Sequence, residues 1–259
     1  MANIETLTRN ERAELIAEFQ EIIGGDFHPH QSMGYGSTDS ANKVFFGDID
    51  DEPIAVKPFS ELGTRERAFH EADMMRHVQG LGFVAMRPRK IFEGDHANYL
   101  VTDYMAGIST MNQVGWERSR NPAIYQREIT PLLRYFGEFT GQLHTAGLAH
   151  GDWQLKNFGR HRNGAPILVD LEKMKLLNDL SNEQKLSAMT YDIGRLASSL
   201  VQKRLLPGSS WEHVEQELVI NMVSSYIEAT EADSNLGDLG IEAAVKAMDM
   251  VEITHAYRR

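Results

Sequence analysis

The chain contains no cysteine, which excludes disulfides, thiolate metal sites and cysteine nucleophiles together and fits a reducing compartment. It is also poor in positive charge: 26 Lys and Arg against 37 Asp and Glu leave a net charge of -11. That balance opposes nonspecific attraction to nucleic acid or anionic lipid, so no nucleic-acid partner is expected. A long apolar run is missing as well. Met1 to Phe19 is interrupted by Glu5, Arg9, Glu11, Arg12 and Glu14, unlike the apolar core of a signal peptide. The expectation is a cytoplasmic protein with no membrane span. What is there is ordinary for a globular chain: 42% hydrophobic and 24% charged over 259 residues, enough to bury a core as one large domain or two small lobes.

Periodicity divides the chain. Leu15, Ile16, Phe19, Ile22 and Ile23 recur at helical spacing within Arg9 to Ile23 and stop at Gly24-Gly25. Val44-Phe45-Phe46, Ile54-Ala55-Val56 and Tyr99-Leu100-Val101-Thr102 are short β-prone runs, the first two separated by an acidic turn. Thr64 to Val78 reads as a helix closed by Gly80-Leu81-Gly82. Beyond Gly107 the pattern is helical at Ile124 to Ala146, Thr190 to Gln202, Trp211 to Thr230 and Ile241 to His255. No repeat or low-complexity segment intervenes. A small β-rich lobe over residues 1–105 and a larger helical lobe over 106–259 are predicted, an α+β architecture.

Chemistry concentrates in His150-Gly151-Asp152-Trp153-Gln154-Leu155-Lys156-Asn157, followed by Ile167-Leu168-Val169-Asp170-Leu171-Glu172. A carboxylate and an amide share one loop, and a second carboxylate follows an apolar triplet. Phosphoryl transfer requires metal ions on the phosphate oxygens and a carboxylate that orients the acceptor hydroxyl and takes its proton, and hard magnesium prefers oxygen ligands. The order and spacing resemble the catalytic loop and metal-binding Asp of the protein-kinase-like superfamily. The resemblance implies a bilobal protein-kinase-like fold, ATP and Mg2+ as cofactors, Asp152 as catalytic base, Asn157 as a metal ligand and Asp170 as the principal metal ligand. Lys156 would steady the transferring group as a point charge.

Upstream, Ile54-Ala55-Val56-Lys57 resembles the strand lysine motif whose ammonium reaches the ATP phosphates and pairs with a helix glutamate. Glu66 and Glu71 are the candidates. Glu71 is preferred because Met75 and Val78 follow at i+4 and i+7 and turn that stripe inward. Tyr99 to Gly107 resembles the last strand and hinge: Asp103 and Met105 would offer backbone groups to adenine, and Thr102 would gate the pocket behind it. Tyr191-Asp192-Ile193-Gly194-Arg195-Leu196 resembles the helix whose Asp anchors the catalytic loop.

The pattern departs in places. Gly34 to Val44 lacks the third glycine of the phosphate loop and carries Ser37, Thr38 and Ser40, which would contact phosphate, as in RIO-type atypical kinases. HGD stands where many protein kinases have HRD, and only 22 positions separate Asp170 from Asp192, so phosphorylation-gated activation is not expected. HGD with D-x-E is similar to aminoglycoside phosphotransferase-like and lipopolysaccharide-kinase-like enzymes. The short span from Gly107 to Asp152 leaves little space for their substrate insertion. His28 and His30 form an HxH pair that reads as loop histidines. The expected function is γ-phosphoryl transfer from ATP to an acceptor hydroxyl on a small molecule, a glycan or a protein. A nucleotide-binding pseudokinase that regulates a partner is the alternative.

Overall fold

The structure is a computed structural model that describes residues 9–25, 27–30, 44–60, 64–105, 109–110, 122–160, 166–202, 211–231 and 236–256. The chain is mixed α+β and separates into two compact units: Met1–Gln113 with Phe158–Glu172, and Val114–Asn157 with Lys173–Arg259. The sequence reading cut the chain once, between 105 and 106. In the structure the stretch that carries Asp170 returns to the first unit.

The first unit is built on a five-stranded antiparallel sheet in the order β1-β2-β3-β5-β4. The strands are β1 (Phe27–Pro29), β2 (Phe45–Ile49), β3 (Glu52–Phe59), β4 (Pro88–Glu93) and β5 (Asn98–Asp103). Asp50 and Asp51 join β2 to β3 with φ of 53° and 62°, the left-handed pair that a two-residue hairpin turn demands. Alternation in β3 and β5 sorts the two faces. Ile54, Val56, Tyr99 and Val101 join Phe45 and Phe27 beneath helix α1 (Arg9–Ile22), whose Phe19 is fully buried in the cluster. The Phe19 ring lies 5.1–5.9 Å from those of Phe27, Phe45, Phe92 and Tyr99, spacings at which aromatic pairs attract beyond their area. Gly24 and Gly25, at φ 77° and 87°, end α1 because only glycine enters that region without steric cost. The register Ala55↔Thr102 and Lys57↔Leu100 places the opposite set of side chains on the other face, where helix α2 (Thr64–Gly80) packs with Ala68, Glu71, Ala72, Met75 and Val78 buried.

Two short pieces complete this unit. Strand β6 (Ser109–Thr110) pairs with β8 (Phe158–Arg160), which forms a hairpin with β9 (Pro166–Leu168). Leu168 donates its N–H to Val84 O at 2.9 Å, which ties the hairpin to the segment before β4. His30, beyond β1, sits 2.6 Å from Asp48 Oδ2 through its Nε2.

The second unit is mainly helical: α3 (Pro122–Thr145), α4 (Asn182–Gln202), α5 (Trp211–Glu231) and α6 (Gly237–Ala256), with β7 (Leu148–Ala149) paired to β10 (Lys175–Leu176). Glycine sets the closest approach. A Cβ on Gly137 of α3 would lie 1.9 Å from Met222 O of α5, and one on Gly141 would lie 2.5 Å from Ala229 Cβ. The two helices thus meet backbone to backbone. Helix α4 begins eight residues earlier than its apolar period suggests, at Asn182. Ser181 and Gln184 cap it reciprocally: Ser181 N–H donates to Gln184 Oε1 at 3.0 Å, and Gln184 N–H donates to Ser181 Oγ at 3.3 Å. No described helix is long and apolar enough to cross a membrane.

Candidate functional site

The candidate residues form two sets, one inside each unit. In the first unit Lys57 leaves β3 on the face that α2 covers. Its Nζ donates to Glu71 Oε2 at 2.7 Å and to Asp170 Oδ1 at 2.5 Å, and lies 3.5 Å from Glu172 Oε2. Glu66 is exposed on the first turn of α2, whereas Glu71 is 1% exposed. Arg67, one turn before Glu71, donates to Glu172 Oε1 from Nε at 3.1 Å and from Nη2 at 2.6 Å. The Phe59 ring lies under both cations, 5.1 Å from Lys57 Nζ and 5.9 Å from Arg67 Cζ.

Electrostatics follow from the count: two cations face three carboxylates whose oxygens approach within 4.8 Å of one another. Burial alone would pull the Lys57 pKa down, but Asp170, Glu71 and Glu172 outweigh it and hold the ammonium firmly charged. Burial pushes Glu71 up to about 7 against the pull of Lys57, and Asp170 adds to the rise. Asp170 differs from Glu71 in access, its side chain being 35% exposed. It also sits at φ 62° outside any hairpin turn. Such strained backbone is uncommon away from turns and concentrates at functional positions.

In the second unit the loop 150–157 is held from α4. Asp192, 1% exposed, accepts the N–H of His150 at 2.6 Å on Oδ2 and that of Gly151 at 2.8 Å on Oδ1. Two turns on, Ser199 Oγ accepts the N–H of Leu155 at 3.4 Å, so the same stripe of α4 grips the loop twice. Behind Asp192, His144 Nε2 stands at 3.4 Å, and His144 Nδ1 lies 2.9 Å from the Tyr226 hydroxyl. Burial and the Asp192 charge raise the Tyr226 pKa and keep the phenol protonated. Trp153 is fully buried and donates Nε1–H to Thr140 Oγ1 of α3 at 2.7 Å. Gly151 has φ 77°, and a Cβ there would lie 2.2 Å from Lys173 O, so this loop path admits no side chain.

Two candidate side chains belong to this loop. Gln154 Nε2 hydrogen-bonds Asp152 Oδ1, and Arg195 and Lys173 stand farther off at 3.6 and 3.9 Å. Asn157, 2% exposed, donates its Nδ2–H to Asp152 O at 2.8 Å. Its amide oxygen is thereby left as the atom suited to a hard cation. Lys156 is half-buried in the turn before it.

The remaining candidates are dispersed. Thr102 is buried on β5, with Oγ1 3.4 Å from Ala55 O. Asp103 ends that strand, bonded to Arg89, which also meets Glu52 at 2.7 Å. Met105 follows outside regular structure. Ser37, Thr38 and Ser40 lie outside the described residues, as do Ala106 and Gly107. The sequence reading missed Arg67, Lys173 and the His144–Tyr226 pair, and it took Glu172 only as the end of the D-x-E pattern, with no partner assigned to it. Helical spacing from Glu71 would have found Arg67. No protein-family model matches the chain, and no curated protein matches it.

Proposed function

We propose that the chain is an ATP-dependent phosphotransferase acting on an acceptor hydroxyl. The observation that carries this reading is the meeting of Lys57, Glu71 and Asp170, residues 14 and 113 positions apart along the chain from the lysine. A lysine clamped by a buried helix glutamate and sharing an accessible aspartate suits a triphosphate and its cation. The carboxylate of Asp170 in the first unit and, separately, the amide oxygen of Asn157 in the second are each the kind of oxygen donor that would hold magnesium, which would neutralise charge on the phosphate oxygens when bound. Lys57 would bind and orient the phosphates. Asp152 would accept the hydrogen bond of the acceptor hydroxyl and take its proton as the hydroxyl oxygen bonds to the γ-phosphorus. The bond from that phosphorus to the β,γ-bridging oxygen breaks, and ADP leaves with the electron pair.

Two substitutions test the assignment. Asp152→Asn keeps shape but cannot take a proton, so MgATP binding stays near wild type while turnover falls by about 10²–10⁴. Asp170→Asn loses turnover and also the magnesium dependence of nucleotide affinity. Calorimetric titration with and without magnesium, beside ADP release, reads both. Full turnover in Asp152→Asn overturns the catalytic role, and a wild type that binds MgATP yet phosphorylates nothing favours a regulatory pseudokinase.

A further inference from the structure

The second unit carries a feature that bears on the acceptor. The Asp152 side chain is 13% exposed, and two cations approach its carboxylate from beyond hydrogen-bond distance, Arg195 Nε at 3.6 Å and Lys173 Nζ at 3.9 Å. The protein donor that does bond it is Gln154. Arg195 Nε is buried without a hydrogen-bond acceptor among the described residues, yet the Arg195 side chain as a whole is 37% exposed and that of Lys173 is 60% exposed. Both cations therefore keep donors for a ligand.

Their placement is built. Arg195 lies one turn after Asp192 on the stripe of α4 that grips the loop, and the Lys173 backbone packs against Gly151. Neither cation is within hydrogen-bond distance of Asp152, and both side chains reach solvent. Cationic donors left unused beside a reacting centre suit a second anion.

We propose that Arg195 and Lys173 form an anion subsite beside Asp152, and that the acceptor is a small hydroxyl compound bearing a carboxylate or phosphate. This rests on the phosphotransferase reading above. The cations stand within 4 Å of the proposed base, so the anion must share a short skeleton with the reacting hydroxyl. A peptide does this poorly: successive residues are about 3.8 Å apart and their side chains point to opposite faces when extended. A cationic acceptor such as an amino sugar is repelled at the same place.

The test uses the full chain with MgATP, reading ADP formation with glycerate, glucuronate and glucose 6-phosphate against glycerol, glucose, glucosamine and an acidic serine peptide. The expected result is turnover with at least one anionic compound and little with the others. Glucuronate against glucose 6-phosphate separates carboxylate from phosphate. Arg195→Gln and Lys173→Gln each raise KM for that acceptor about tenfold to a hundredfold, the loss of a charged hydrogen bond, with a smaller change in kcat. Arg195→Lys recovers part of it. Preference for glucose, glucosamine or the peptide overturns the proposal, as does an unchanged KM in Lys173→Gln, an exposed position where folding is not at risk. If the chain binds MgATP but accepts none of these probes, the subsite fails and the regulatory pseudokinase gains on the phosphotransferase reading; turnover of glucose, glucosamine or the peptide instead sinks the subsite alone. If it does not bind MgATP at all, both fall.

Discussion

Replacing Asp192 with Asn probes how the loop bearing Asp152 and Asn157 is held. The buried carboxylate accepts two backbone N–H groups at once, from His150 at 2.6 Å and Gly151 at 2.8 Å. Asn keeps the shape but offers one oxygen and one NH2, so one loop N–H must face another donor. The lost charge-assisted bond is worth about 1.5–3 kcal/mol, and the orphaned buried N–H costs about 1–3 kcal/mol more. Together that is about 2.5–6 kcal/mol, a large part of the roughly 5–15 kcal/mol by which a domain is stable. Urea unfolding measures the loss, and hydrogen exchange at the His150 and Gly151 amides locates it. Protection there drops selectively, whereas helix α3 amides follow global stability. A change within about 0.5 kcal/mol, as for a neutral surface substitution, with both amides still protected, refutes the reasoning.

Two other outcomes follow from the same geometry. Because Glu71 has a folded pKa near 7 against an ordinary 4.5, the folded state binds more protons between those values. Its contribution is therefore full below pH 4.5 and is lost as pH rises through about 7. The stability of wild type relative to Glu71→Gln falls across that window in urea titrations, and a rise reverses the sign. Gly137→Ala places a Cβ 1.9 Å from Met222 O and destabilises by about 1–3 kcal/mol as α3 and α5 move apart. Gly80→Ala, at the end of α2 with nothing within 4 Å, is the clash-free control in thermal unfolding and is expected to leave stability unchanged or raise it slightly.

Much of this was legible in the sequence because the informative residues lie at fixed local spacings. The helices of both units announce themselves through an apolar stripe, and Glu71 through Met75 and Val78 on the same face. Edge strands β1 and β4 gave no such signal. They lie at the two margins of the sheet, contain Pro29 and Pro88, and bury too few residues to alternate cleanly. The first two turns of α4 are polar and largely exposed; only the Ser181 and Gln184 cap marks their start.

Within the candidate site, spacing singled out Lys57, Asp152, Asn157 and Asp170, but not the groups that reach them from elsewhere in the chain. Lys173 and Arg195 lie 21 and 43 residues after Asp152, and tertiary packing alone brings them to it. Gly151 shows what the structure adds. From the sequence, HGD in place of HRD is an absence, the loss of an arginine. In the structure the glycine is a requirement: φ is 77° and the Lys173 carbonyl occupies the space a Cβ would take, 2.2 Å away. Any side chain there would push the Lys173 backbone off the loop, and with it a cation beside Asp152. The same contact that excludes an arginine at position 151 places a lysine next to the proposed base.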